Sequence, residues 1–175
     1  MKVLVVNCGS SSLKYQLFDM AGQTCMARGN VERVGTAEAF IVHRPNGGDK
    51  VRRDVVARDR EQAMKYVFEC LVDPRIGVIS DLREISAIGH RVVHGGHSLS
   101  KPCVIDPAAR RAIEAAASFA PLHNPVALRW IDACQSVWGN ELRQIAVFDT
   151  AFFAQLPEAA WRLSLIHISE PTRPY

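Results

Sequence analysis

The stretch Asn7-Cys8-Gly9-Ser10-Ser11-Ser12-Leu13-Lys14 constrains the fold of this chain more than any other. It joins the apolar run Val3-Leu4-Val5-Val6 to the alternating run Leu13-Lys14-Tyr15-Gln16-Leu17-Phe18. Two strand-like runs separated by small polar residues predict a β-hairpin. Its tip carries three hydroxyls, a glycine-freed backbone and a lysine just beyond. Such a tip can surround a phosphate with N–H groups, hydroxyls and one cation. The same residues also suit a plain polar turn with an outward lysine. The G-x-x-x-x-G-K-[ST] spacing of a Walker loop is absent.

The rest of the first third is also β-rich, with strand character at residues 24–34, 39–43 and 50–55. Pro45-Asn46-Gly47-Gly48-Asp49 marks a turn between the last two. A first helix is predicted from Asp59, with Gln62 as capping-box partner and Met64, Val67, Phe68, Leu71 and Val72 as its apolar stripe. Residues 84–93 read as a buried strand broken by His94-Gly95-Gly96-His97. Asp106-Pro107 opens a second helix running to about Phe119, and Asn124-Pro125 a third ending at Gly139, each in N-cap, N1 fashion. Residues 143–148 form the last clear strand, ending on Asp149-Thr150. Strands first, then strands alternating with helices, predict an α/β sheet covered by helices.

Bulk properties exclude several classes. Hydrophobic residues make up 48% and charged residues 22% of 175, as in a globular protein with a real core. The net charge of +3 is dispersed, and Arg52-Arg53 and Arg110-Arg111 are doublets rather than a stripe, so nucleic acid is not expected as a partner. No apolar run approaches the roughly 20 residues that span a bilayer, and no secretory signal is evident. Cys8, Cys25, Cys70, Cys103 and Cys134 form no C-x-x-C pair. Reduced thiols and a cytoplasmic location are expected.

Three further segments could carry chemistry. Gly89-His90-Arg91-Val92-Val93-His94-Gly95-Gly96 puts an arginine near a strand end, where α/β sheets bind ligands. A guanidinium there suits a carboxylate or phosphate, or else a structural acid. Pro121-Leu122-His123-Asn124-Pro125 sets His123 at an electropositive helix start, with Asn124 expected to cap it. Val147-Phe148-Asp149-Thr150 puts a carboxylate at a strand end, fit for metal or water coordination, or for a cap. Cys8, His123 and Asp149 also allow a thiol nucleophile, for which only the polar turn could lower the Cys8 pKa.

Together these segments resemble the acetate kinase family across residues 1–162, in the family's order, with Asn-Cys-Gly-Ser-Ser-Ser-Leu-Lys and Gly-His-Arg-Val-Val-His-Gly-Gly as the most specific signatures. The resemblance implies the ribonuclease H-like, actin-like ATPase fold of the sugar kinase, Hsp70 and actin superfamily, with a mixed sheet and flanking helices forming the first of two domains. It implies reversible phosphoryl transfer between ATP and acetate, giving ADP and acetyl phosphate, with Mg²⁺ and a homodimeric full-length parent. Propionate and butyrate kinases share much of the pattern, and a non-catalytic anion-binding fragment is the other reading. By resemblance Asn7 sits at the metal site, Lys14, Ser10 and Ser12 bind the ATP phosphates, and Arg91 binds the acyl carboxylate. His123 stabilises the transition state, Val93 and Leu122 wall the methyl pocket, and Asp149 is the catalytic aspartate. The adenine pocket, a second arginine, a second histidine and a metal-linked glutamate belong to the family's other half. Phe153 departs from the family, in which many members carry histidine at that point.

Residues 163–175 resemble the translation of a sequencing adapter. They are expected to be a non-native tail following an incomplete kinase domain at residues 1–162, with little activity of its own.

Overall fold

The computed structural model describes residues 1–139 and 141–153. The tail expected at residues 163–175 lies outside them. Within the described residues, eight strands form one mixed sheet in the order β5-β4-β3-β2-β1-β6-β8-β7. The strands β1 (Lys2–Cys8), β2 (Leu13–Asp19), β3 (Thr24–Glu32), β4 (Phe40–Pro45) and β5 (Val51–Asp54) make an antiparallel meander. Short turns suffice for such a meander. The chain then crosses through α1 (Arg60–Val72) to β6 (Ile85–Val92), which lies parallel to β1. A second crossing through α2 (Pro107–Ala115) and α3 (Asn124–Trp138) reaches β8 (Arg143–Phe148), parallel to β6. Helical crossovers are what parallel pairing requires.

Strand alternation decides the layering. In β1 and β2, Leu4, Val6, Leu13, Tyr15 and Leu17 are buried against the helices, while Val5, Asn7, Lys14 and Gln16 face the other way. The side chains of α1 and α3 join this core through Met64, Val67, Phe68, Leu71, Trp130 and Cys134. A smaller cluster packs Val92, Ile113, Ala127, Ile131, Ala146 and Phe148 where α2 and α3 meet β6 and β8. Burying a Leu, Val or Phe side chain contributes roughly 1.5–3 kcal/mol. All three helices thus cover one face of the sheet, and Asn7, Lys14 and Arg91 lie on the opposite face.

Several local expectations change. The Asp59 carboxylate caps α1 by accepting from Gln62 N at 2.8 Å, but the Gln62 side chain accepts from Arg58 N rather than closing a box on Asp59. A reciprocal box forms instead at Asp81 and Glu84, before β6. The second helix tightens into a 3₁₀ turn at residues 116–118. An unforeseen short strand, β7 (Cys103–Val104), pairs antiparallel with β8 at the sheet edge. Asn124 is not the cap of α3. His123 occupies that position without a side-chain cap bond, and Asn124 begins the helix, fully buried.

Candidate active site

The carboxyl ends of β1, β6 and β8 lie side by side, so the residues there converge by topology. Asn7 is at the end of β1, Arg91 near the end of β6, and Asp149 just after β8. The Arg91 guanidinium holds the Asp149 carboxylate through Nε to Oδ1 at 2.9 Å and Nη2 to Oδ2 at 2.7 Å. Its Nη1 donates to Asn7 Oδ1 at 3.2 Å. The hydrogen bond to Asp149 and the carboxylate's charge raise the Arg91 pKa further. Both partners are about half exposed, so the pair adds little stability. What the pair does show is a fork presented in the geometry that holds a planar carboxylate.

The hairpin tip is a separate construction. Gly9 N donates to Ser12 O at 2.8 Å, and a side chain at Gly9 would come within 2.9 Å of Ser12 Oγ. Three tip carbonyls are then held from outside the hairpin. Trp130 Nε1 donates to Gly9 O at 3.0 Å, Arg60 Nη2 to Ser10 O at 2.9 Å, and Val34 N to Ser11 O at 2.9 Å. These bonds fix the tip and leave the Ser10 hydroxyl exposed and that of Ser12 partly so. Lys14 stands opposite Asn7 in register, exposed on the bare face. Sequence reasoning missed Arg60 and Trp130 as clamps. Each reaches the tip across 50 or more residues, and no local pattern signals that.

The loop after β6 is shaped by two glycines. A Cβ at Gly95 would lie 2.0 Å from Leu99 O, and Gly96 has φ of +68°. The close approach made possible at Gly95 is therefore to the chain's own Leu99. Gly96 N donates to His94 Nδ1 at 2.8 Å, and the His94 ring stacks on Phe119 at 4.9 Å. Asn124 explains its burial here. Its Oδ1 accepts from His94 N at 3.2 Å, and its Nδ2 donates to His94 O at 2.8 Å and Ile113 O at 3.0 Å. It ties the loop beside Arg91, α2 and the start of α3 together.

Beneath Arg91, His90 is buried and bonded through Nε2 to Gln144 Oε1 at 2.7 Å. The Gln144 amide nitrogen donates to Ile131 O and Gln135 Oε1, so its oxygen faces the ring and His90 Nε2 carries the proton. Burial depresses the His90 pKa to about 4, against a weaker upward pull from Gln144. This network locks β6 to β8.

The structure does not gather every candidate. Leu122 is 79% exposed and His123 is exposed, and the His123 side chain makes no hydrogen bond or ring contact with another described residue. Val93 is half-buried just past the end of β6. Burial, with help from the nearby Cys134, raises the Cys8 thiol pKa, which disfavours the thiolate a nucleophile needs. All five cysteines are free. Among the described residues no group of three or more His, Cys, Asp or Glu side chains could hold a metal, and no helix is long and apolar enough to cross a membrane. Asn7 and Asp149 supply two oxygen donors, which fits an ion such as Mg²⁺ that keeps several waters and binds substrate phosphates.

The chain matches the profile of the acetokinase family over residues 2–169. It is 46% identical to the acetate kinase of Finegoldia magna over 157 residues, covering 90% of this chain and 39% of that protein. It is 45% identical to the acetate kinase of Moorella thermoacetica over 165 residues, covering 94% and 41%. The crystal structure of Porphyromonas gingivalis acetate kinase superposes with a TM-score of 0.85 at 37% identity, covering 99% of this chain and 41% of that one. A propionate kinase from Francisella tularensis superposes with a TM-score of 0.80 at 33% identity, with the same coverage. The chain therefore spans about two fifths of the length of the relatives it matches. Its sheet and helices have the actin-like ATPase fold of these kinases, and the chain belongs to the acetokinase family.

Proposed function

We propose that the full-length protein is a cytoplasmic, Mg²⁺-dependent acetate kinase that transfers a phosphoryl group directly between ATP and acetate. The observation that carries this reading is the Arg91 fork, held on a carboxylate at the ends of three parallel strands, beside Asn7 and Lys14. Asp149 occupies the fork with the same chemical group that acetate would present. Ionised acetate has a pKa of roughly 4–5 and needs no general base at neutral pH. Its oxygen attacks the γ-phosphorus, the bond to the ADP oxygen breaks, and no proton moves.

Positioning and charge neutralisation are then the main requirements. Arg91 orients the acyl carboxylate and meets the charge developing on the transferred group. The Ser10 and Ser12 hydroxyls and the Lys14 ammonium bind phosphoryl oxygens from a tip fixed by Trp130 and Arg60. His123, at the start of α3, adds a donor on the open side, and Val93 and Leu122 flank the acyl methyl. Asn7 and Asp149 would hold the magnesium ion. When bound, that ion supplies neutralisation of the phosphate charge. An Asp149 carboxylate engaged by that ion would no longer occupy the Arg91 fork, which could then take the acyl carboxylate.

Residues 1–162 form the family domain in this reading, and residues 163–175 a non-native tail. The family match runs seven residues past residue 162, so the uninterrupted reading frame decides where that tail starts. The remaining site residues and the dimer surface lie in the second domain, so the 175-residue chain turns over negligibly. Formation of acetyl hydroxamate from ATP and acetate tests both statements. The full-length enzyme should be active and this chain nearly inactive, and turnover by the chain near the full-length rate would refute the second. A propionate kinase is the alternative, favoured by the Francisella tularensis likeness and by the exposure of Leu122. One methylene is worth only about 1–3 kcal/mol, so kcat/KM across acyl lengths decides it.

A further inference from the structure

The face of the meander away from the helices holds a groove of about 540 Å³ that runs outward from Asn7 and Lys14 across β3 and β4. Its lining includes Lys14, Arg28, Arg44 and Lys50, and no acidic residue. All four cations are exposed, and none forms an ion pair with a described residue. The nearest contrast is Arg52, on the same sheet, whose charge is paired with Asp54 and whose guanidinium lies over Phe40. Glu32, the acid on β3, instead accepts from Asn30 Nδ2.

The register makes the arrangement costly. Arg28 and Arg44 are direct cross-strand partners, and like charges placed opposite one another destabilise a sheet. Lys50 immediately precedes β5, next to Val51, which pairs with His43 beside Arg44. Three cations therefore crowd one end of the groove without an acid between them. Gln16, opposite Arg28, and Asn30, opposite Lys14, also line the groove. Arg28 and Arg44 also line a second hollow of about 380 Å³ against the Asn46-Gly47-Gly48 turn.

We propose that this groove is a binding site for a small oligophosphate anion, one carrying two or more linked phosphoryl groups. Two guanidinium forks match phosphate oxygens bidentately, and two ammonium groups neutralise the remaining charge. Arg28, Arg44 and Lys50 lie on β3, on β4 and beside β5, with β1 and β2 between them and Arg91 on β6, while the inner end of the groove, Asn7 and Lys14, adjoins the Arg91 fork and rests on the proposed phosphotransfer reading. An inorganic oligophosphate and the triphosphate tail of a nucleotide present the same chemistry to it.

Titration calorimetry on the 175-residue chain tests this, without divalent cation and at roughly physiological ionic strength, about 0.15 M. The probes are inorganic tripolyphosphate, ATP, orthophosphate and a single-stranded oligonucleotide. Tripolyphosphate should bind at least about tenfold more tightly than orthophosphate, and Arg28→Gln with Arg44→Gln should weaken it by about tenfold or more. Arg91→Gln should leave its affinity within about twofold. Lys50→Gln, at an exposed position outside the strands, should weaken it in a chain whose sheet is untouched. Comparable binding of ATP assigns the site to the shared phosphate tail, and a clear preference for tripolyphosphate assigns it to inorganic oligophosphate. Loss on Arg91→Gln with none on the groove variants would overturn the groove and leave the phosphotransfer reading standing. Tight ATP binding without tripolyphosphate binding would overturn it, as would oligonucleotide affinity that grows with length.

Discussion

Arg91 and His123 flank the same loop, yet the fold treats them differently. Arg91 is held by three hydrogen bonds to Asp149 and one to Asn7, all from the ends of parallel strands whose register is fixed. His123 stands in solvent beside Leu122, unbonded to any described side chain, at a helix start anchored through its neighbour Asn124. One half of the candidate site is pre-organised by the domain's own sheet. The other half has its backbone fixed and its side chains left for a ligand or another part of the protein to engage.

The contrast is sharpest in activity. In the full-length enzyme Arg91→Ala should lower kcat/KM by about 10³-fold or more, roughly 4 kcal/mol of transition-state stabilisation. Stability should change by less than about 1 kcal/mol, because the ion pair is half exposed. Activity loss matched by unfolding would break the distinction.

A pH effect comes next in size. His90, under Arg91, titrates at about 4 in the fold against an ordinary value of 6.5. The unfolded chain takes up the proton first as pH falls, so stability is complete above pH 6.5 and declines toward pH 4. The loss between pH 7 and pH 5 should be about 2 kcal/mol by denaturant melts, and His90→Asn should flatten that slope. Burial lowers the His43 pKa too, so a smaller slope of the same sign should persist.

Trp130→Phe removes the bond to Gly9 O and should cost about 1–2 kcal/mol while raising the KM for ATP, because the tip loosens. An unchanged KM would mean that the clamp is only structural. Leu122→Ala should be the smallest effect, within about 0.5 kcal/mol on stability since the side chain is exposed. Any effect it has should appear as a change in preference between acetate and propionate.

Local chemistry made much of this legible in the chain. Alternation in β2, the Asp59 and Asp106 caps and the Gly139 stop follow from single short windows. Arg91 and Asp149 were legible as strand-end residues, but that they meet Asn7 was implied only by the family resemblance, because the strand order β1-β6-β8 and their mutual bonding are not written in any local window. Long-range contacts stayed hidden. Arg60 and Trp130 reach the hairpin from α1 and α3, and Gln144 meets His90 across 54 residues. Asn124 misled because Asn-Pro is a strong cap pattern, and the buried carbonyls of His94 and Ile113 outbid the helix N–H groups for its side chain. Cys103 and Val104 are too few to announce a strand without their partner β8.

The central claim is that Asp149 holds the metal and releases Arg91, rather than moving a proton. The Mg²⁺ dependence of full-length Asp149→Asn measures this directly. The Mg²⁺ concentration for half-maximal activity should rise about tenfold or more, with the pH profile of the residual activity unmoved. A shifted pH–rate profile with unchanged Mg²⁺ dependence would contradict it.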